Sequence, residues 1–285
     1  MKCYRWPGRS LSRDITILAG YVVINGLLDT EEVDIVRAAM EQDDALDTHE
    51  MLVDSGADGA AAPARQTLWT EPGTGTLGAL TRSERVCGAA TQLLEGNVHY
   101  FFSKRLQKLP GDAGEWLWHQ DYGSYWYYDN FLKPDMLTVW IALDEATEAN
   151  GCLHVVRGSH TLGRLDSTPS GNQRAADPAR VEAALASGGH HDEVAVTLQP
   201  GGALFMHGNT LHRSGPNTTS DSRRLAFATH FTRGDNLQFA DPGPHVPGTS
   251  AMLPEPHGRL KLTGVQVGTA GLIDPRSGAD RTRKE

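Results

Sequence analysis

The triplet His119-Gln120-Asp121 sets an imidazole and a carboxylate two residues apart, directly after the apolar run Trp116-Leu-Trp. In an extended strand, residues i and i+2 point to the same side. Such a pair can grip one ion from one face. A third donor has to come from elsewhere in the chain, and the segment Leu204-Phe-Met-His-Gly-Asn-Thr-Leu-His supplies it at His212. Two imidazoles and one carboxylate on one side of an ion leave its other positions open, which suits non-haem iron(II) that must bind oxygen. The chain has twelve histidines, and the rest fit other roles. His207 competes as third ligand but sits inside an apolar run, as a core residue or a neighbour of the ligands. His99, His154, His160 and His230 read as strand or turn residues, and His190-His191 as a polar pair in a loop.

Beyond His212 comes Arg-Ser-Gly-Pro-Asn-Thr-Thr-Ser-Asp-Ser, then Arg223-Arg224 at the mouth of an apolar strand. Neighbours in a strand face opposite ways, so one of the two arginines turns inward. A buried guanidinium offers a planar fork to a carboxylate, which is what the far end of 2-oxoglutarate requires while its oxo-acid end chelates iron. Zinc also accepts two histidines and an aspartate, but a zinc hydrolase needs a general base and gives the arginine no role. A non-catalytic jelly-roll metal binder is the remaining rival. Oxygen consumption that depends on 2-oxoglutarate separates the oxygenase from both.

These residues need a β framework, and the chain has its texture. Short apolar runs begin near Val98, Trp116, Leu137, Cys152, Val194, Ala203 and Leu225, separated by turn residues. Many short strands within one domain predict a sandwich or barrel. Ahead of them, Gly20 to Asn25 reads as a strand. Asp29-Thr-Glu-Glu opens an amphipathic helix with Thr30 as its cap. A second helix is expected over Ser83 to Leu94, and Asp54 to Pro63 reads as a loop. Residues 161–193 form a polar insertion with a short helix near Asp177–Ala186, and insertions of this kind often act as lids or binding loops. A tail rich in Gly and Pro begins near Asp241. The whole of 1–285 is expected to be a single domain with its core at about 15–235.

With 35 acidic against 26 basic side chains, the net charge of −9 argues against nucleic acid. Membrane association is not expected, because no stretch approaches the ~18–20 apolar residues of a span. Nor does the start of the chain carry a signal-peptide pattern, and a cytoplasmic protein is expected. Cys3, Cys87 and Cys152 are sparse and odd in number, which fits buried thiols in a reducing compartment.

Four blocks together resemble the phytanoyl-CoA dioxygenase family of iron(II)/2-oxoglutarate oxygenases. They are Gly20-Tyr-Val-Val-Ile-Asn-Gly-Leu-Leu-Asp-Thr-Glu-Glu, Trp118-His-Gln-Asp121, Trp140 to His160, and His212-Arg-Ser-Gly-Pro-Asn followed by Arg223. Trp116 to Trp126 is also similar to the ectoine hydroxylase branch, although Leu106 stands where that branch has an asparagine that helps to hold 2-oxoglutarate. The resemblance implies a mainly β fold with flanking helices around a double-stranded β-helix, a jelly roll of the cupin-like kind. It implies His119, Asp121 and His212 as iron ligands, Arg223 for the far carboxylate of 2-oxoglutarate with Ser214 beside it, and O2 as co-reactant. It further implies hydroxylase chemistry with release of succinate and CO2.

Tyr122, Trp126 and Tyr128, which follow the ligand triplet, together with Trp140, are candidates to line the substrate pocket. Aromatic faces beside Asp129 suit an amine. The substrate is therefore expected to be a small polar metabolite of a biosynthetic pathway in secondary metabolism, with an amine as one variant. An acyl-CoA is the alternative, disfavoured by the lack of a basic cluster for its phosphates.

Overall fold

A computed structural model describes residues 19–54, 64–188, 191–239, 250–254 and 260. In chain order the elements begin β1 (Tyr21–Ile24), α1 (Thr30–Glu41), α2 (Asp44–Thr48), β2 (Met51–Val53), β3 (Ala64–Trp69), α3 (Thr76–Arg82) and α4 (Ala89–Leu93). Then come β4 (Val98–Lys108), β5 (Trp116–His119), β6 (Met136–Ala142), β7 (Leu153–Val156), β8 (Ser167–Ser170), β9 (Gln173–Ala176) and α5 (Pro178–Ala186). The series ends with β10 (Glu193–Val196), β11 (Ala203–His207), β12 (His212–Ser214), β13 (Arg224–Arg233) and β14 (Ser250–Met252).

Two antiparallel sheets make the jelly roll. The larger runs β1-β11-β6-β13-β4-β3-β2, with β14 also on β4, and the smaller runs β10-β7-β12-β5. The larger sheet is covered on both faces, and its sequence shows why. In β6, Leu137, Val139 and Ile141 join a core shared with Val33 and Val36 of α1 and with Leu77 and Leu80 of α3. Trp140 and Ala142, of opposite parity, join Leu153 and Val155 of the smaller sheet and Leu204 and Met206 of β11. Period-two alternation thus sends one set outward under helices and the other inward between the sheets.

Two expectations change in detail. The cap of α1 is Asp29, not Thr30. Its carboxylate accepts from Glu32 N at 2.9 Å while Glu32 Oε2 accepts from Asp29 N at 3.3 Å, a reciprocal capping box. The helix expected over Ser83 to Leu94 is instead a π-helical turn, Glu84–Gly88, running into α4. The break follows from Ser83, whose hydroxyl donates to Leu80 O and whose carbonyl gathers the amides of Val86 and Cys87. The helix near Asp177 is present, with Asp177 capping Arg180 N. The loop expected over Asp54 to Pro63 and the tail lie largely outside the described residues, as does Cys3. Cys87 and Cys152 are buried free thiols.

Removing the cap tests the first helix. Asp29→Ala should lower stability to chemical denaturation by about 1 kcal/mol. Thr30→Ala should cost less, because Thr30 is the first helical residue and not the cap.

Candidate functional site

Strand pairing places the two histidines. β5 and β12 are antiparallel neighbours with His119 directly opposite His212, and their rings lie 4.1 Å apart between centroids. Asp121 has already left the strand. It opens a π-helical turn, Tyr122–Trp126, with φ −55° and ψ −47°. The i, i+2 rule of an extended strand is therefore not what aims Asp121 at the histidines. A strand end followed by a helical turn does so. Tyr122 N donates to Gly208 O at 2.8 Å and ties that turn to the loop leading into His212.

The three side chains converge. Asp121 Oδ1 lies 3.8 Å from His119 Nε2 and 3.9 Å from His212 Nε2. One donor atom from each residue falls within 4.8 Å of the others. Every polar atom pointing away from this focus is engaged. His119 Nδ1 is 2.6 Å from Leu117 O and His212 Nδ1 is 2.9 Å from Thr210 O. Each Nδ1 thus carries its hydrogen to a carbonyl and leaves Nε2 as a lone-pair donor. Asp121 Oδ2 accepts from the Thr138 hydroxyl at 2.6 Å, and Thr138 Oγ1 in turn lies 3.0 Å from His230 Nδ1. Burial, with His212 next in weight, pushes the His119 imidazole down to about 3 and keeps it neutral. Burial alone would raise the Asp121 carboxyl, but His212, His230 and His119 together hold it below the usual carboxylate range. A neutral His119 imidazole and an ionised Asp121 carboxylate are the protonation states a metal ion requires of them. The donor set fits iron(II) with open positions on its far side.

From this focus a chamber runs into the space between the sheets. Leu106, Leu153, Met206 and Ala228 give it apolar walls, and Arg224 and Ser214 also line it. Arg224 is only 2% exposed. Its guanidinium lies 5.6 Å from the Trp140 ring centre. Its Nε has no hydrogen-bond partner, and among the described residues no carboxylate pairs with it. Burial pulls it down to about 10, so it stays charged at neutral pH. A buried cation without an acid, across an apolar slot from a metal focus, is what a short dicarboxylate fits.

Arg223 does not reach this chamber. It stands just before β13 and points outward, with Nε 2.8 Å from Asp144 Oδ2 and a second nitrogen 2.8 Å from Glu41. The inward arginine is therefore Arg224. Parity on β13 carries the signal: Leu225, Phe227 and Phe231 pack under the helices, whereas Arg224, Ala228 and His230 line the chamber. Large apolar residues mark one face and small or polar ones the other. Ser214 is where it was expected, but its hydroxyl donates to Gly151 O at 3.0 Å and accepts from Lys108 Nζ at 2.8 Å. Lys108 is wholly buried, and burial followed by Arg224 pushes its ammonium well below the usual lysine range.

The aromatic candidates separate. Trp140 lines the inner chamber. Trp126 lines a second, outer chamber that meets the first at Asp121, Lys104 and Trp116. Tyr122 lines neither; its hydroxyl donates to Phe131 O and Leu132 O, which pins the turn after the ligands. Tyr128 lines neither, and its ring is covered by the Arg174 guanidinium at 4.1 Å. Gln120, between the two ligands, was not singled out from the sequence. Its amide donates to Gly163 O and Asn209 O and accepts from Leu165 N, all at 2.8–2.9 Å. It thus fastens the start of the insertion to both ligand-bearing segments.

Fold and donor set together define the class of non-haem iron(II)/2-oxoglutarate oxygenases. The chain belongs to the phytanoyl-CoA dioxygenase (PhyH) family, whose sequence model matches residues 18–225. It is 29% identical over 163 residues to L-proline trans-4-hydroxylase of Streptomyces griseoviridis, covering 53% of this chain and 61% of that one. The chain thus spans less than two thirds of that relative's length. To the ectoine dioxygenase of Streptomyces avermitilis it is 28% identical over 221 residues, 73% of either chain. Among solved structures, the non-heme alpha ketoglutarate dependent carbocyclase SnoK from nogalamycin biosynthesis superposes with a TM-score of 0.67 at 25% identity, covering 89% of this chain and 96% of that one.

The hydrogen bond that aims Asp121 can be removed without touching a ligand. Thr138→Val should weaken iron binding about 10–100-fold while the protein stays folded, as read by anaerobic iron titration and circular dichroism. Unchanged iron affinity would show that Asp121 is oriented by its backbone alone.

Proposed function

We propose that this protein oxidises, by hydroxylation, a small polar metabolite of a biosynthetic pathway, using iron(II), 2-oxoglutarate and O2. The observation that carries the reading is the pairing of the His119–Asp121–His212 focus with an acid-free, buried Arg224 across an apolar chamber. When bound, iron with 2-oxoglutarate activates oxygen, so that one oxygen atom ends in succinate, CO2 is lost and the other oxygen reaches the substrate.

The chain's own residues supply geometry and charge. His119, Asp121 and His212 hold the ion by one side. Arg224 receives the far carboxylate of 2-oxoglutarate, with Trp140 flanking the slot and the Ser214–Lys108 pair beside it. The apolar walls exclude water from the space between. Asp121 itself decides the type of oxidation. Halogenases on this fold replace the carboxylate with a small residue and leave room for chloride, whereas here the carboxylate is present and oriented by Thr138. Oxygen transfer follows, not chlorination. The likeness to SnoK, a carbocyclase from nogalamycin biosynthesis, supports a biosynthetic role.

Two substitutions separate the adjacent arginines. Arg224→Ala should raise the 2-oxoglutarate requirement by the equivalent of about 2–5 kcal/mol, since it removes the partner of a desolvated carboxylate. Arg223→Ala should leave that requirement within about twofold and cost only surface ion-pair stability. The reverse pattern in the 2-oxoglutarate KM would overturn the assignment. His119→Ala and Asp121→Ala should each abolish 2-oxoglutarate-dependent succinate release while leaving the circular dichroism spectrum intact. More than a few per cent residual turnover with iron supplied would exclude that residue as a ligand.

A further inference from the structure

We infer that the outer chamber receives the substrate, that Gln66 reads it, and that the occupant is an uncharged, ring-bearing molecule presenting a hydroxyl or N–H hydrogen to Gln66 Oε1. This rests on the iron/2-oxoglutarate reading above, because Asp121 is what makes the chamber a reaction site.

The outer chamber opens directly onto the metal focus, with Asp121 in its lining. Phe102, Trp116, Tyr125 and Trp126 wall it with aromatic surface, and Leu68 and Met51 add aliphatic surface. Flat apolar faces of this kind take up a ring. Three amides also line it, and two of them are engaged. Asn172 donates to Leu52 O and accepts from Asp54 N, both at 2.8 Å. Gln173 donates to Glu115 O and Asp54 O and accepts from Leu117 N. These two staple the β8–β9 hairpin to β2 and β5. Gln66, on β3, differs: its Oε1 is buried and accepts no hydrogen bond from the described residues. A buried acceptor left unmatched is costly, and a donor on the occupant satisfies it.

Charge narrows the class. Among the described residues, the only carboxylate lining the chamber is Asp121, which faces the metal focus, and the only cation is Lys104, at the junction of the two chambers. An ammonium entering here meets Lys104 and no free acid. The aromatic faces expected to take an amine are already covered by the protein's own cations: Arg164 lies 4.4 Å from the Tyr127 ring centre and Arg174 4.1 Å from that of Tyr128. Asp129 does not line the chamber either. The polyphosphate of an acyl-CoA would find one lysine. A polyhydroxylated or glycosylated ring compound matches both the aromatic walls and the waiting acceptor.

The probes are phenyl β-D-glucoside, its per-O-methylated ether, tyramine and octanoyl-CoA, titrated into the intact iron-loaded protein with 2-oxoglutarate. Binding is followed by quenching of tryptophan fluorescence without oxygen, and coupling by succinate release with it. The glucoside should quench and accelerate succinate release, and tyramine and octanoyl-CoA should do neither. The methylated ether, which keeps both rings but has no donor, should lose the response. Gln66→Met should weaken the glucoside about three- to tenfold, the weight of one neutral hydrogen bond. A stronger response to tyramine or octanoyl-CoA, an equal response to the methylated ether, or no response to the glucoside overturns the inference. The reading beneath it is tested separately, by the visible charge-transfer band that 2-oxoglutarate raises on the wild-type iron protein. Absence of that band overturns the oxygenase reading; its presence without a glucoside response overturns only the inference about the chamber.

Discussion

The antiparallel pairing of β5 with β12 is the constraint on which the site depends. It sets His119 opposite His212, although 92 residues separate them in the chain. Neither strand is long; β5 has four residues and β12 three. Such short strands hold register because β12 is also paired on its other edge with β7, where Arg213 lies opposite His154. A slip of one residue would turn His212 to the other face and replace it with Arg213 or Leu211. The carbonyls that receive the histidine Nδ1 hydrogens belong to residues two positions upstream, Leu117 and Thr210. Register, tautomer and ring direction are therefore fixed by the same few backbone groups.

A second constraint is electrostatic. Two basic side chains, Arg224 and Lys108, are buried opposite each other where β13 pairs with β4, and among the described residues no carboxylate pairs with either; burial lowers both, and Arg224 lowers Lys108 further. Lys108 is tolerable because Ser214 O, Ser214 Oγ and Gly215 O all accept from it. Arg224 has no such set of acceptors. A chain that satisfied both would be the more stable protein. Leaving one unsatisfied raises the free energy of the empty chamber, which is how a binding site differs from a well-packed core.

Much of this was legible before folding was considered. The three residues that converge, His119, Asp121 and His212, could be chosen because their types and spacing are chemically restrictive, and the β-rich fold because short apolar runs recur between turn residues. Of the two adjacent arginines, Arg224 faces the chamber and Arg223 points outward. The reason is instructive: adjacent strand residues face opposite ways, and only the parity of Leu225, Phe227 and Phe231 against Ala226 and Ala228 shows which way β13 is turned. Thr138 and Gln120 were invisible for another reason. Their roles come from partners far along the chain, such as Asp121 for Thr138 and Gly163 for Gln120, and no local pattern announces such a contact. The aromatic segment after the ligands misled in the opposite way. Its composition suggested an amine-binding cage, but the cations that stack there, Arg164 and Arg174, come from the insertion.

That substitution of the protein's own arginines for a ligand's amine shows what the insertion does. Arg174 belongs to β9 and stacks on Tyr128, while its backbone N donates to Tyr125 Oη at 3.2 Å. Arg164 stacks on Tyr127 just before β8. Together with the amide of Gln120 and the staples from Asn172 and Gln173, these contacts bind the hairpin to the turn after the metal ligands and to the strands on either side. The hairpin is thus a wall of the outer chamber, fastened at several points by neutral hydrogen bonds and cation–π contacts of about 1 kcal/mol each. No single one dominates. A wall held this way keeps its shape when one contact is lost, yet its lining residues, Asn172 and Gln173, face the chamber as amides already engaged. Discrimination among substrates therefore falls to the opposite side, on β3, where an acceptor still waits for its hydrogen.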